Sequence, residues 1–251
     1  MINCNQDKGG RQMAFYEELS KYYDHVFPFS PMTYNFLSDR FPNKGKILDI
    51  ATGTGNYAIT LAENEHKVTA IDLDKEMIQK LKEKIKGRDL PLTPVVMNML
   101  NLNSLTPNSY DGAFCIGNSL VHLQTLEAIE QSLKEVYNLL LSGGQFIIQV
   151  VNYDRILAHD IKELPLINRP DLGVKFLRRY QLIDDIIHFN TRLIVSDGQT
   201  YDNSITLYPL TSSNLKELLL SAGFRDIHFY GGFDEQKFNL DAFPLIVTAK
   251  K

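Results

Sequence analysis

The chain has 251 residues, 44% hydrophobic and 22% charged, with a formal net charge of −4. That is enough apolar material for one sizeable core, and the acidic balance speaks against a protein that works on nucleic-acid phosphates, which calls for a basic face. The two cysteines sit in unlike settings, Cys4 in a polar terminus and Cys115 in an apolar run, which argues against a disulfide framework and fits a reducing compartment.

Residues 1–12 (MINCNQDKGGRQ) are polar, lack the apolar stretch of a secretory signal, and are expected to form a flexible terminus. No run approaches the roughly 18 apolar residues that a membrane helix needs, so the expectation is a cytoplasmic protein without a membrane partner. One domain is expected over 13–251. Its first part, 13–40, reads as a helical cap in two pieces, interrupted by Pro28 and Pro31. KILDI (46–50) is a strand that feeds a helix over 54–64, and KVTAID (67–72) a strand that feeds a helix over 74–87. TPVVM (93–97) and DGAFCIG (111–117) are two further strands, 124–141 a helix, and GGQFIIQVV (143–151) an apolar fifth strand. Short apolar runs alternating with amphipathic helices predict a parallel sheet covered on both faces.

After residue 151 the rhythm changes. KFLRRYQLI, DIIHFNTRLIV and TYDNSITLY are β-rich runs separated by polar turns, and they predict an antiparallel insertion, a lid bounded by 152–210. TSSNLKELLLSAGF then returns to a helix that should stop at Gly223. RDIHFYGG and FPLIVTAKK supply two last strands.

The segment ILDIATGTGNYA (47–58) carries the chemistry. Gly53 and Gly55 suit a tight strand-to-helix turn that approaches a ligand closely, with the helix N-terminus behind it. GTGNYA (53–58) also satisfies a dinucleotide pattern. Asp49 weighs against a pyrophosphate at this turn and in favour of a ligand bearing an amino group or sulfonium, although it could equally cap the turn. Asp72, some 20 residues on, ends the second strand where an acid reaches ribose hydroxyls.

On these residues the chain resembles the class I S-adenosylmethionine-dependent methyltransferases over 46–151, with the closing strands fitting the same sheet. The resemblance implies a doubly wound α/β fold. Its mostly parallel, seven-stranded, Rossmann-like sheet would have an antiparallel last strand, N-terminal cap helices and the small β insertion. It also implies S-adenosylmethionine as cofactor, S-adenosylhomocysteine as product and no metal. The turn reads Asp49-Ile-Ala51-Thr-Gly53-Thr-Gly55, with alanine where the family usually has its first glycine, tolerable if Ala51 keeps a negative φ. Asp72 matches the ribose acid, with Leu73 beside it in the cofactor site. Asn98 and Met99 match the position beside adenine. CIGNSLVHL is similar to the corresponding segment of glycine N-methyltransferases, which implies Gly117 and Asn118 at the methionine moiety and Asn118 and His122 near the acceptor. YEELSKYYDHVF (16–27) resembles a cap helix that turns a tyrosine to the cofactor, Tyr23 first and Tyr16 second.

The expected reaction is an in-line methyl transfer to nitrogen or oxygen of a small molecule, with the protein aligning reactants and, where needed, taking a proton. His122 is the candidate acid–base residue, with a structural role at the following helix as the alternative. In the lid, Arg178, Arg179 and Tyr180 could clamp an acceptor carboxylate. Strand alternation sends one arginine of the pair to solvent, and Arg179 is taken as the binding candidate. Tyr153, Asn152 and Tyr208 are further candidates at strand ends. The six histidines show no close-spaced ligand pair. Two other readings stay open: an NAD(P)-dependent oxidoreductase using GTGNYA, and a protein that binds S-adenosylmethionine without catalysis. A monomer or a homodimer is expected.

Overall fold

The structure, a computed structural model, describes residues 4–251, and side chains from residue 13 onward. Residues 1–3 of the expected flexible terminus lie outside the described residues. Helix α1 runs Cys4–Val26, so it starts inside that terminus, and α2 runs Pro31–Ser38. Pro31 occupies the first turn of α2, where its missing N–H costs nothing, and Ser30 caps the helix through Thr33 N at 3.3 Å.

Strands β1 (Lys46–Ile50), β2 (Lys67–Asp72), β3 (Leu92–Val96), β4 (Tyr110–Cys115) and β5 (Leu140–Val151) alternate with helices. These are α3 (Asn56–Glu63), α4 (Lys75–Lys84) and α5 (Leu126–Leu139). Ile129, Leu133 and Val136 recur at helical spacing on α5 and are fully buried against the sheet. Next come the short helix α6 (Tyr153–Ala158) and the lid strands β6 (Ile167–Arg169), β7 (Val174–Ile183), β8 (Ile186–Ile194) and β9 (Thr200–Leu207). Helix α7 (Ser212–Ala222), β10 (Arg225–Tyr230) and β11 (Pro244–Lys250) complete the chain. Gly223 ends α7 at φ 107°, and a Cβ there would press on the Tyr137 ring.

The main sheet has seven strands in the order β10-β11-β5-β4-β1-β2-β3. β1 pairs in parallel with both β2 and β4, while β11 runs antiparallel to β5 and β10. The strand order reverses between β1 and β4, and the crevice beyond their carboxyl ends is where such sheets bind ligands.

The lid is a second, antiparallel sheet in the order β6-β7-β8-β9. Its inner face carries three rows. Phe176, Leu193 and Tyr201 face α1, where Phe15, Leu19 and Val26 complete a small apolar core. Tyr180, Phe189 and Ile205 face the main core around Tyr153. Between them runs a polar row, Arg178, Thr191 and Asn203.

Candidate active site

At the end of β1 the chain must turn across the end of β2. Thr52 N–H donates to the Ile71 carbonyl at 2.9 Å, and Gly55 N–H to the Thr52 carbonyl at 3.0 Å. This path places three residues in the left-handed region: Ala51 at φ 59°, Gly53 at 57° and Gly55 at 80°. The negative φ that would make alanine innocuous at position 51 is therefore not what the turn adopts. An L-residue held there is strained by about 1–2 kcal/mol. A Cβ on Gly53 would lie 3.0 Å from the Tyr23 hydroxyl, so the glycine admits the tyrosine ring.

Two carboxyl groups close the turn from beneath. Asp72 accepts from Gly53 N–H and from Asp74 N–H, each at 2.8 Å. Burial raises its pKa, with those hydrogen bonds opposing the shift. Asp49 is only 3% exposed, accepts from the Thr52 hydroxyl at 2.5 Å, and has no cation within 4 Å among the described residues. Burial, with a smaller push from Asp72, raises its pKa to about 8. Tyr23 faces the same acids, and burial followed by the charges of Asp72, Asp24 and Asp49 moves its pKa up. The turn is a desolvated, acidic surface.

Around it, Leu73 is 69% exposed, an apolar side chain left open beside Asp72. Asn98 spends its carbonyl on Leu100 N–H at 2.9 Å, and Met99 is half-buried against the core. Gly117, at φ 83°, has open space where a Cβ would stand. Asn118 is pinned rather than free. Its Oδ1 accepts from Val151 N–H at 2.9 Å and its Nδ2 donates to the Tyr153 hydroxyl at 3.0 Å. Tyr153 itself is fully buried, so it acts on the site through Asn118. Asn152 is likewise buried, capping α6 and donating to the carbonyls of Asn239, Leu240 and Ala242.

His122 ends a one-turn 3₁₀ helix, Leu120–His122, beyond β4. The residue is exposed, yet the surrounding protein lowers its pKa by desolvation. In the lid, alternation decides between the two arginines. Arg179 points outward, 65% exposed and 3.4 Å from Glu163; the structure does not bring it to the cleft. Arg178 points inward, half-buried, with one guanidinium nitrogen donating to the Pro165 carbonyl at 2.8 Å. Among the described residues no carboxylate pairs with it within 4 Å. Its Nε is buried without a hydrogen-bond partner, while the buried Tyr180 hydroxyl lies against that of Tyr153. Burial lowers the Arg178 pKa and raises that of Tyr180 to about 12. The ring of Tyr180 lies 6.4 Å from that of Tyr153, which ties this part of the lid to Asn118.

Comparison with known proteins decides the family of the chain. Residues 47–144 match the family described as a methyltransferase domain. Glycine/sarcosine N-methyltransferase of Aphanothece halophytica is 31% identical over 206 residues, 82% of this chain and 76% of that protein. The chain belongs to the class I S-adenosylmethionine-dependent methyltransferases. Human glycine N-methyltransferase is 32% identical over a shorter stretch, 45% of this chain and 43% of that one. Among solved structures, a methyltransferase from Clostridium acetobutylicum superposes with a TM-score of 0.78 at 19% identity, covering 94% of this chain and 98% of that one. The dinucleotide reading of GTGNYA thereby falls, and this methyltransferase is an enzyme. Its turn suits the cofactor: a buried, uncompensated Asp49 favours a cationic ligand, and Asp72 stands at the strand end where ribose hydroxyls are bound.

Sequence reasoning missed Asp24, which bonds to the far side of the turn, because its partners lie about 30 residues and more away. The sequence offers Arg179 as the binding candidate, and the structure turns that side chain outward and Arg178 inward. The apolar Val174, Phe176 and Tyr180 share one parity, and that pattern was the available signal for Arg178.

Proposed function

We propose that this methyltransferase transfers a methyl group to the amino nitrogen of glycine, sarcosine or a closely similar small α-amino acid. The observation that carries the reading is Arg178: a half-buried guanidinium on the inner face of the lid, without a carboxylate partner among the described residues and with its Nε buried and unpaired. A buried donor left unpaired costs about 1–3 kcal/mol, and an acceptor carboxylate paired with Arg178 would recover that cost. The names of the glycine/sarcosine relatives support the same substrate class.

The cofactor would be held by Asp49, Asp72, Gly53 and Gly55, with Leu73, Asn98 and Met99 beside the base, Gly117 and Asn118 beside the methionine part, and Tyr23 above the turn. When bound, S-adenosylmethionine supplies an electrophilic methyl group for in-line displacement. The protein's own contribution is alignment: Asn118, fixed by Val151 and Tyr153, sets the backbone at the reaction face, and Arg178 orients the acceptor. An α-ammonium group must lose a proton before it can accept a methyl group. His122, exposed just beyond β4 and with its pKa lowered by desolvation, is the proposed proton acceptor.

The test is to incubate the purified protein with S-adenosylmethionine and glycine, sarcosine, glycinamide or glycolate, and to measure S-adenosylhomocysteine formed. Turnover with glycine or sarcosine and none with glycinamide or glycolate is expected. Equal turnover with glycinamide would sink the carboxylate reading. His122→Gln should slow turnover by at least about 100-fold with cofactor affinity unchanged; full turnover would remove His122 from the mechanism.

A further inference from the structure

Helix α1 is held from two sides. On the lid side, Phe15, Leu19 and Val26 share a core with Val174, Phe176, Leu193 and Val195. Asn203 Nδ2 donates to the Tyr16 hydroxyl at 3.4 Å, and Arg169 Nε donates to the His25 carbonyl at 2.6 Å. On the cofactor side one residue, Asp24, makes a closed polar cluster. Its Oδ1 accepts from Thr54 Oγ1 at 2.5 Å and from Asn56 Nδ2 at 2.9 Å, both at the start of α3. Its Oδ2 lies 2.6 Å from Lys84 Nζ on α4. Lys84 completes the ring by donating to Thr54 Oγ1 and Asn56 Oδ1, each at 2.8 Å.

Tyr23 precedes Asp24 and lays its ring on Gly53, inside the cofactor turn. Tyr16 lies two helical turns earlier, on the same face of α1, and reaches the polar row of the lid through Asn203. One rigid helix therefore touches the cofactor turn with one tyrosine and the acceptor lid with another.

We propose that Asp24 is a positioning residue: bonded to Thr54, Asn56 and Lys84, it clasps α1 onto the cofactor turn, and α1, through Tyr23 and Tyr16, makes cofactor and acceptor binding cooperative. The acceptor half of this statement rests on the proposed amino-acid substrate; the cofactor half does not. A site clasped in this way releases its cofactor slowly, and the acceptor, by pinning the lid, slows release further. By linkage the same factor tightens the acceptor when the cofactor is bound. The Asp24 side chain is 41% exposed, so salt screens the clasp and speeds release.

Stopped-flow displacement of bound S-adenosylhomocysteine tests the clasp. Asp24→Asn and Lys84→Met should each speed release about tenfold, the cost of one charge-assisted contact. The double variant should be no faster than either single one, and Lys84→Arg should restore slow release. Asp202→Asn, which breaks an exposed ion pair with Arg192 at the edge of the lid, serves as a control and should leave release unchanged. Wild-type release rates in folded Asp24→Asn and Lys84→Met, or losses that simply add, would overturn the clasp. Saturating glycine should slow release from the wild type and not from Asp24→Asn. A glycine effect that survives in Asp24→Asn overturns the cooperativity. Glycine that is turned over but does not slow wild-type release overturns the cooperativity; glycine neither turned over nor slowing release, with Asp24→Asn still fast, leaves the clasp standing and removes the acceptor reading.

Discussion

The cofactor turn and the lid treat their polar groups in opposite ways. At the turn, Asp72 already binds Gly53 and Asp74, Asp49 binds Thr52, and Asp24 binds Thr54, Asn56 and Lys84. In the lid, the Arg178 Nε is buried and unpaired. The first region is organised by its own bonds; the second keeps a donor with no partner of its own. The contrast teaches what each ligand must bring: a positive charge for Asp49, which no cation faces at the turn, and a carboxylate for the Arg178 Nε in the lid.

The sharpest way to break the comparison is Arg178→Met. Losing two charge-assisted bonds should raise the acceptor KM about 100-fold, while calorimetric affinity for S-adenosylmethionine stays as it was. Because an unpaired buried donor is also removed, the variant should melt no lower than the wild type; a lower melting temperature would mean that Arg178 is structural. The counterpart on the other side, Asp72→Ala, should weaken cofactor binding about tenfold or more and, by releasing Gly53 and Asp74, lower the melting temperature too. Unchanged calorimetric affinity would end the ribose assignment.

A pH series sharpens the comparison further. In the unfolded chain Asp49 ionises near 3.8, while in the folded free protein it holds its proton up to about 8. Ionisation in that window favours the unfolded chain, so the stability this group contributes falls as pH rises through it and levels off above the folded value. Asp49→Asn cannot ionise and should flatten the pH–stability profile between those limits; an identical slope in the variant would assign it to other groups. Smallest is Ala51→Gly. Relief of the left-handed strain, partly offset by a more flexible unfolded chain, should stabilise the protein by about 0.5–1 kcal/mol in denaturant titration. A loss of stability would show that the alanine is not strained.

Much of the main sheet was readable because its strands are buried on both faces and its helices on one. Continuous apolar runs such as FIIQVV and amphipathic repeats such as MIQKLKEKI each admit a single reading under that constraint. The lid was harder. In KFLRRYQLI the arginines are adjacent and Leu177 breaks the simple alternation, which weakens the parity signal from Val174, Phe176 and Tyr180. Packing against α1 buries Val174 and Phe176, and with them Arg178 turns inward. The start of α1 at Cys4, within a segment that reads as a polar terminus, shows the same limit at the other end of the chain.

The sequence by itself determined the strand order of chemistry: a glycine turn after β1, an acid at its base and another at the end of β2, and a helix–strand rhythm that permits one kind of sheet. Those are local properties, written in residues close together in the chain. Only the tertiary structure decided that Asp24 meets Thr54, Asn56 and Lys84, that Asn118 is pinned by Tyr153, that Ala51 turns left-handed, and that Arg178 rather than Arg179 turns inward. Each of these depends on which distant surface a residue is pressed against, and burial, not spacing along the chain, selects that surface.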